Sequence, residues 1–340
     1  MTNSNEQSLN PYPFKLFGSP SGTNLFLAEE VAKQLNTTLE GVSYKDFSDG
    51  SFIAHHTESI RDCDVYLILQ PRFGNKEILS YDLDECESMV YALKQGEPNR
   101  ITVIVPCLPY ARQDKSSNYR EPILVQKVPM RLQMAGADKL VVLKLHNPSS
   151  YNAHPLTIPI VNIETSNLLI NQIKSKGFNL EEFKIVAPDL GAAPFCRKLA
   201  QALGIPSNIV IINKFRDPKS ANHSEVMEVI GDANNFHCII PDDLADTCGT
   251  AVKTFKALKD RGAKDIYFTA IHGVLTGKAV ENLNSADFKE VWFSDTCDFT
   301  EKEKLIKNLQ IMPTANLIAK VIDNLHNGKS ITDLSKNGDN

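Results

Sequence analysis

Cys238-Ile239-Ile240-Pro241-Asp242-Asp243-Leu244-Ala245-Asp246-Thr247-Cys248-Gly249-Thr250 holds the densest chemistry in this 340-residue sequence. A β-prone apolar run ends in two adjacent carboxylates, and a compact Asp-Thr-Cys-Gly-Thr turn then opens a helix. At the carboxyl edge of a parallel sheet, such a junction is where ligands bind. Gly249 lets backbone N–H groups come close to a phosphate, and a helix N-terminus favours its charge. Thr247 and Thr250 add hydroxyl donors. Carboxylates repel a phosphate but accept hydrogen bonds from sugar hydroxyls. Asp242 and Asp243 therefore suit a ribose ring, and residues 246–250, including Asp246 and Cys248, suit its phosphate. An acidic turn with an ordinary cap would account for one Asp-Thr pair. The complete order of strand, Asp-Asp, two spacers and Asp-Thr-x-Gly-Thr favours the sugar-phosphate site.

On both sides of this run, short apolar segments alternate with amphipathic ones, the pattern of parallel sheets covered by helices. The spacing predicts strands at Phe14–Phe17, Val65–Leu69, Ile101–Pro106 and Leu140–Leu143. Helices are expected at Asn24–Leu35, Leu83–Lys94 and Val125–Ala135, the last with an open start because of Pro129. The second half repeats the alternation, with strands at Lys184–Ala187, Asn208–Ile212, Cys238–Ile240, Asp265–Ala270 and Glu290–Phe293. Helices Ala193–Leu203, Gly249–Arg261 and Lys278–Asn284 intervene, and a final helix, Thr314–Asn327, stops at Gly328. The expected fold class is α/β, with two similar domains, each a parallel β-sheet flanked by helices. Their expected limits are residues 1–165, completed by the C-terminal helix 312–328, and residues 166–311, with a polar tail at 329–340.

The chain carries 36 Lys and Arg against 41 Asp and Glu, a net charge of −5. That balance does not suit a protein that coats nucleic acid, but local cations or Mg²⁺ can still hold phosphate ligands. No apolar run reaches the roughly 18 residues of a spanning helix, and the start MTNSNEQSLN lacks the order of a secretory signal. Neither a nucleic-acid nor a membrane partner is expected. Seven cysteines, an odd number with no CxxC pair, argue against structural zinc and a disulfide framework. A reducing cytoplasm is the expected compartment.

The run around Asp242 resembles the phosphoribosyl-pyrophosphate loop of type I phosphoribosyltransferases and of ribose-phosphate pyrophosphokinases. Other segments separate the two. Phe47-Ser48-Asp49-Gly50 is similar to the pyrophosphokinase FSDG segment, and Pro109-Tyr110-Ala111-Arg112-Gln113-Asp114-Lys115 to its PYARQD segment, followed by Arg120-Glu121-Pro122-Ile123. Leu145-His146, Pro188-Asp189-Leu190-Gly191, Lys214-Phe215-Arg216 and Ser224-Glu225-Val226-Met227 come in the family's order. The likeness runs from Phe14 to Gly328, whereas a plain phosphoribosyltransferase would match only the second half. The sequence is identified as a member of the ribose-phosphate pyrophosphokinase family.

The resemblance implies a type I phosphoribosyltransferase-like fold. It also implies transfer of the β,γ-diphosphate of ATP to the C1 hydroxyl of ribose 5-phosphate, with Mg²⁺ as cofactor. Lys214 and Arg216, by themselves two cations expected on a loop after a buried strand, match the family's catalytic pair. Their spacing lets both reach one phosphoryl group. His146, expected at a sheet edge, matches a catalytic residue beside ATP and Mg²⁺, and Asp189 matches a second metal-linked group. For ATP, the match implies that Phe47 stacks on adenine and Asp49 accepts from its amino group. Arg112 and Gln113 would contact the nucleotide, with Asp114 orienting them. In the family the FSDG segment reaches a neighbouring subunit, which implies a homo-oligomer built from dimers, a hexamer among the possible sizes. Ser59 and Arg61 resemble a segment of phosphate-sensitive regulation, and an ordinary helix-edge pair is an equal reading.

The sequence departs from the family mainly on the ATP and metal side. Ser51 replaces a glutamate after FSDG, and Lys144 stands where an aspartate precedes Leu145-His146. Residues 147–154 replace a QIQGFF-like segment, Val161 stands for an aspartate, Ala192 for a glycine, and Gln126 for a lysine displaced to Lys127. Gln70-Pro71-Arg72-Phe73-Gly74 replaces a serine- and threonine-rich loop. Two further readings follow: a catalytically weak or inactive homologue that regulates an active synthase, and, less favoured, a phosphoribosyltransferase.

Overall fold

The computed structural model describes residues 10–116, 118–151, 158–206, 209–216 and 225–335. It divides into two compact units, Met1–Glu164 with Thr314–Asn340, and Thr165–Pro313.

The first unit opens with β1 (Phe14–Phe17), α1 (Phe26–Gln34) and a hairpin of β2 (Val42–Asp46) and β3 (Phe52–His56). Then follow β4 (Asp64–Ile68), α2 (Lys76–Gln95), β5 (Arg100–Ile104), α3 (Lys127–Ala135), β6 (Lys139–Leu143) and β7 (Ile160–Ile163). Strands β1, β4, β5, β6 and β7 form one sheet in that order, every neighbour parallel. Both of its faces are covered, which is why the strands read as continuous apolar runs rather than alternating ones. On one face Leu67, Val103 and Val142 pack with Met89 and Leu93 of α2 and Leu132 of α3. On the other, Leu16, Tyr66 and Val141 pack with Leu27 and Val31 of α1.

Helix starts follow local chemistry. Asn75 caps α2, its Oδ1 accepting from the N–H groups of Glu77 at 2.8 Å and Ile78 at 3.4 Å. Pro129 sits in the first turn of α3, where its missing N–H has no intrahelical partner to lose. That helix therefore begins at Lys127, two residues after the expected start.

The second unit contains α4 (Ser166–Ser175), β8 (Phe183–Ala187), α5 (Ala193–Leu203), β9 (Val210–Arg216), β10 (Glu225–Ile230), β11 (His237–Ala245) and α6 (Gly249–Lys259). It continues through β12 (Ile266–Gly273), α7 (Ala279–Ser285), β13 (Glu290–Ser294), α8 (Thr300–Glu303) and β14 (Leu309–Met312). The sheet order is β10-β9-β8-β11-β12-β13-β14, with β10 antiparallel to β9 and the other pairs parallel. From β8 the chain moves to β9 on one side and later returns to β11 on the other. The carboxyl ends of β8 and β11 thus flank a topological switch point, where open α/β sheets bind ligands. The last helix, α9 (Ala315–His326), belongs to the first unit, its Ile318, Val321 and Ile322 joining the α1 side of that core.

Two local expectations need correction. The strand expected to stop at the Asp pair continues to Ala245, because β12 keeps pairing with it through Leu244↔His272 and Ala245↔Gly273. Lys214 and Arg216 lie on β9 rather than on a loop, since β10 offers a partner in the register Glu225↔Arg216 and Met227↔Lys214.

Candidate active site

In the second unit, β11 pairs with β8 only as far as Ile239↔Ile185. Beyond that point the ladder on the β8 side stops, while β12 still holds the other side. Asp242 and Asp243 sit on this one-sided stretch of strand, both half-buried. Asp242 Oδ1 accepts from the N–H of Asp243 at 2.9 Å. Burial raises the proton affinity of Asp242 well above the ordinary carboxylate range, and the neighbouring Asp243 charge raises it further. Asp189, which follows β8, adds a smaller push in the same direction. The switch point therefore gathers Asp189, Asp242 and Asp243 into one acidic group.

The turn after β11 is braced from the segment after β12. Leu275 N–H donates to the Ala245 carbonyl at 3.0 Å, and Thr276 N–H to the Asp246 carbonyl at 3.1 Å. The Thr276 hydroxyl donates to Asp246 Oδ1, and Asn282 Nδ2 donates to the Thr247 carbonyl at 2.7 Å. Cys248 takes a left-handed backbone, φ 60°, and its buried side chain makes no capping bond to α6. The N-terminus of α6 therefore starts without a side-chain cap, Thr247 and Thr250 are exposed beside it, and Gly249 adds no Cβ. The Asp189 carboxylate accepts from the N–H of Ala192 at 2.9 Å, which shapes the turn into α5. The side chains of Lys214 and Arg216, and residues 217–224 that include Ser224, lie outside the described residues.

In the first unit, Arg112, Gln113 and Asp114 lie on the loop after β5, and His146 on the loop after β6, the carboxyl edges of adjacent strands. The Gln113 carbonyl accepts from the N–H groups of Leu124 and Val125, both at 3.1 Å, so the excursion between them closes on itself. Arg112, Gln113 and His146 are exposed. Asn147 Nδ2 donates to Asp114 Oδ2 at 2.8 Å and joins the two loops. Buried Gln126 makes a second tie, its Nε2 donating to the Ser150 carbonyl at 3.0 Å. Beneath these loops, Gln126 Oε1 and the Tyr151 hydroxyl are buried with no hydrogen-bond partner among the described residues.

Phe47 and Asp49 occupy the tip of the β2–β3 hairpin. The Phe47 ring is 43% exposed, with Lys45 Nζ 5.1 Å from its centroid. Asp49 Oδ1 accepts from the Ser51 hydroxyl at 2.7 Å and the Ser51 N–H at 3.0 Å. These bonds, the hydroxyl first, hold the Asp49 carboxyl below its usual range. Ser59 and Arg61 flank buried Ile60 just ahead of β4, at the amino edge of that strand, and Arg61 pairs with Glu97 at 2.9 Å. Lys144, one of the departures, adopts φ 44° and places Nζ 3.5 Å from Glu164 Oε2. Sequence reasoning named Asn147 and Gln126 only as departures. Their roles rest on bonds to partners 33 and 24 residues away, which no local pattern announces.

Both units match known proteins. Residues 15–136 match the model of the N-terminal domain of ribose phosphate pyrophosphokinase, and residues 207–336 match that of the phosphoribosyl synthetase-associated domain. The chain is 34% identical to a ribose-phosphate pyrophosphokinase of Clostridium perfringens, over 91% of this chain and 93% of that one. It is 35% identical to ribose-phosphate pyrophosphokinase 3 of Saccharomyces cerevisiae, over 92% and 94%. The crystal structure of phosphoribosylpyrophosphate synthetase from Mycobacterium smegmatis superposes with a TM-score of 0.83 at 32% identity, covering 93% of this chain and 99% of that one.

Proposed function

This chain belongs to the ribose-phosphate pyrophosphokinase family, and we propose that it transfers the β,γ-diphosphate of ATP to ribose 5-phosphate. The C1 hydroxyl oxygen attacks the β-phosphorus. The new O–P bond forms as the α,β-bridging bond breaks, AMP leaves with the bonding pair, and the hydroxyl proton passes to solvent. Such a transfer needs alignment and charge neutralisation more than covalent catalysis.

The observation that carries this reading is the join of two features at the carboxyl end of β11. An acidic pair suited to ribose hydroxyls runs into the N-terminus of α6, which has no side-chain cap and is flanked by Thr247 and Thr250. Asp242 and Asp243 accept from the ribose hydroxyls, and residues 246–250 hold the 5-phosphate through N–H and hydroxyl donors. Lys214 and Arg216 neutralise the transferring phosphoryl oxygens. On the nucleotide side, Arg112, Gln113 and His146 hold ATP, with Phe47 against adenine and Asp49 on its amino group.

Mg²⁺ prefers hard oxygen donors and keeps several waters. The acidic group fits it: burial and the neighbouring Asp243 charge disfavour the ionised form of Asp242, and a dication beside it would restore that form. Asp189 would hold the ion, which when bound supplies positive charge to the phosphates, and His146 keeps the separate metal-linked role that the family likeness implies. A hairpin tip with Phe47 and Ile53 exposed supports a homo-oligomer in which that tip meets a neighbouring copy. Seven buried thiols with no disulfide support a reducing, cytoplasmic setting. No helix among the described residues is long and apolar enough to cross a membrane.

The test is AMP formation from ATP and Mg²⁺ with and without ribose 5-phosphate. Sugar-dependent AMP supports the proposal. Sugar binding without turnover, coupled to altered activity of an active synthase, supports the regulatory reading, which Lys144 on Glu164 favours by putting a cation where the family has an aspartate. Pyrophosphate release that depends on a nucleobase supports the phosphoribosyltransferase reading.

A further inference from the structure

We infer that Asn147 is a positioning residue for the nucleotide, a strut that fixes the loop of Arg112, Gln113 and Asp114 against the loop of His146. The inference rests on the proposal that those two loops hold ATP. Asn147 follows His146 directly, in the segment where this chain departs from its family. Its Oδ1 accepts from the N–H of Ser149 at 3.2 Å, and its carbonyl accepts from the Ser150 N–H at 3.2 Å and hydroxyl at 2.7 Å. One end of the amide is thus fixed by its own turn, which leaves Nδ2 aimed at Asp114 Oδ2, 2.8 Å away. A flipped amide would set NH₂ against N–H at one end and oxygen against carboxylate at the other, so this orientation is the one the network selects.

The bond is charge-assisted, the stronger kind, and it meets the loop next to its functional positions. On the far side of Gln113, the chain is already anchored where the Gln113 carbonyl gathers the Leu124 and Val125 N–H groups. Fixing Asp114 to Asn147 therefore sets Arg112 and Gln113 relative to His146. The buried Gln126 to Ser150 bond supports the same junction from below. Without the strut both loops persist but their spacing loosens, and misplacement of binding groups is felt first in nucleotide affinity.

Steady-state kinetics on Asn147→Ala, Asn147→Asp and the reciprocal double variant Asp114→Asn with Asn147→Asp test this. Loss of one charge-assisted hydrogen bond predicts a KM for ATP about tenfold higher in Asn147→Ala. The KM for ribose 5-phosphate should stay within about twofold, with Tm nearly unchanged. Asn147→Asp should be worse, because two carboxylates then face each other, and the reciprocal pair should recover most of the ATP affinity. An unchanged KM for ATP in Asn147→Ala overturns the inference. So does a parallel rise in both KM values, or a double variant no better than Asn147→Asp. If the wild-type protein forms no AMP, the proposed function fails instead. Calorimetry with ATP then decides the strut alone, and equal affinity of wild type and Asn147→Ala overturns it.

Discussion

Asp242 is the residue at which function and stability pull apart. Its proton affinity is raised on folding by burial and by Asp243, so it favours the fold while protonated. That favourable share is lost as pH rises from the usual aspartate range through the raised value. Asn mimics the protonated acid without the charge. Asp242→Asn should therefore raise Tm by a few degrees, roughly 2 to 4 °C per kcal/mol for a unit of this size. The gain should be larger at pH 8 than at pH 5. Emission from Trp292, the chain's one tryptophan and fully buried in the second unit, reports it. The same change should cost about tenfold or more in ribose 5-phosphate affinity, because the amide offers one acceptor and no charge to the sugar hydroxyls. A lower Tm at every pH would contradict this account. Lys214→Ala makes the complementary prediction: turnover should fall about a hundredfold or more while ribose 5-phosphate affinity, measured by calorimetry, moves little. Equal losses in both would remove Lys214 from the transfer step.

At the scale of elements, the turn after β11 is a loop held by another loop. Thr276 supplies both its N–H and its hydroxyl to Asp246, and Asn282 holds the Thr247 carbonyl. Thr276→Val keeps the shape and removes one donor to a carboxylate, so calorimetry should show sugar-phosphate affinity falling about three- to tenfold, with β11 and α6 intact by circular dichroism. Unchanged affinity would make the brace irrelevant to binding. This brace was not legible in the sequence, whereas the strand, the Asp pair and the helix start at Gly249 were, since each is written in consecutive residues. The same contrast explains the corrections. The ends of β9 and β11 are decided by β10 and β12, partners supplied from elsewhere in the chain, while α5 matches its expected Ala193–Leu203 span because its apolar stripe is local. The β2–β3 hairpin escaped notice because only Ala54 of its strands is buried, leaving no clear alternation. The start of α2 could have been read from Asn75, whose capping signal lies eight residues before the expected Leu83.

At the scale of the whole molecule, the first unit is closed by a helix that arrives about 150 residues after β7, and a single buried carboxylate ties it in. Asp64, fully buried at the start of β4, accepts from Arg100 Nε at 2.8 Å and Asn10 Nδ2 at 3.1 Å, with His326 Nδ1 at 3.0 Å. It thereby joins the N-terminal segment, two strands and α9. Asp64→Ala leaves Arg100 without its buried partner and should cost about 3 to 5 kcal/mol, read from urea denaturation by circular dichroism. A loss under 1 kcal/mol would mean that the apolar face of α9 suffices. The two-unit plan was legible because alternation of strands and helices repeats on either side of residue 165. The place of the last helix rests on packing against α1, far away in the sequence, which no local pattern announces. The central claim is that the acidic pair and the N-terminus of α6 seat a pentose phosphate for diphosphoryl transfer. Phosphorus NMR of the wild-type protein with ATP, Mg²⁺ and ribose 5-phosphate tests it most directly. The account predicts AMP and a sugar bearing a C1 diphosphate, appearing in equal amounts and only when the sugar is present. ADP as the nucleotide product, or no change in the ATP resonances with the sugar added, would contradict it.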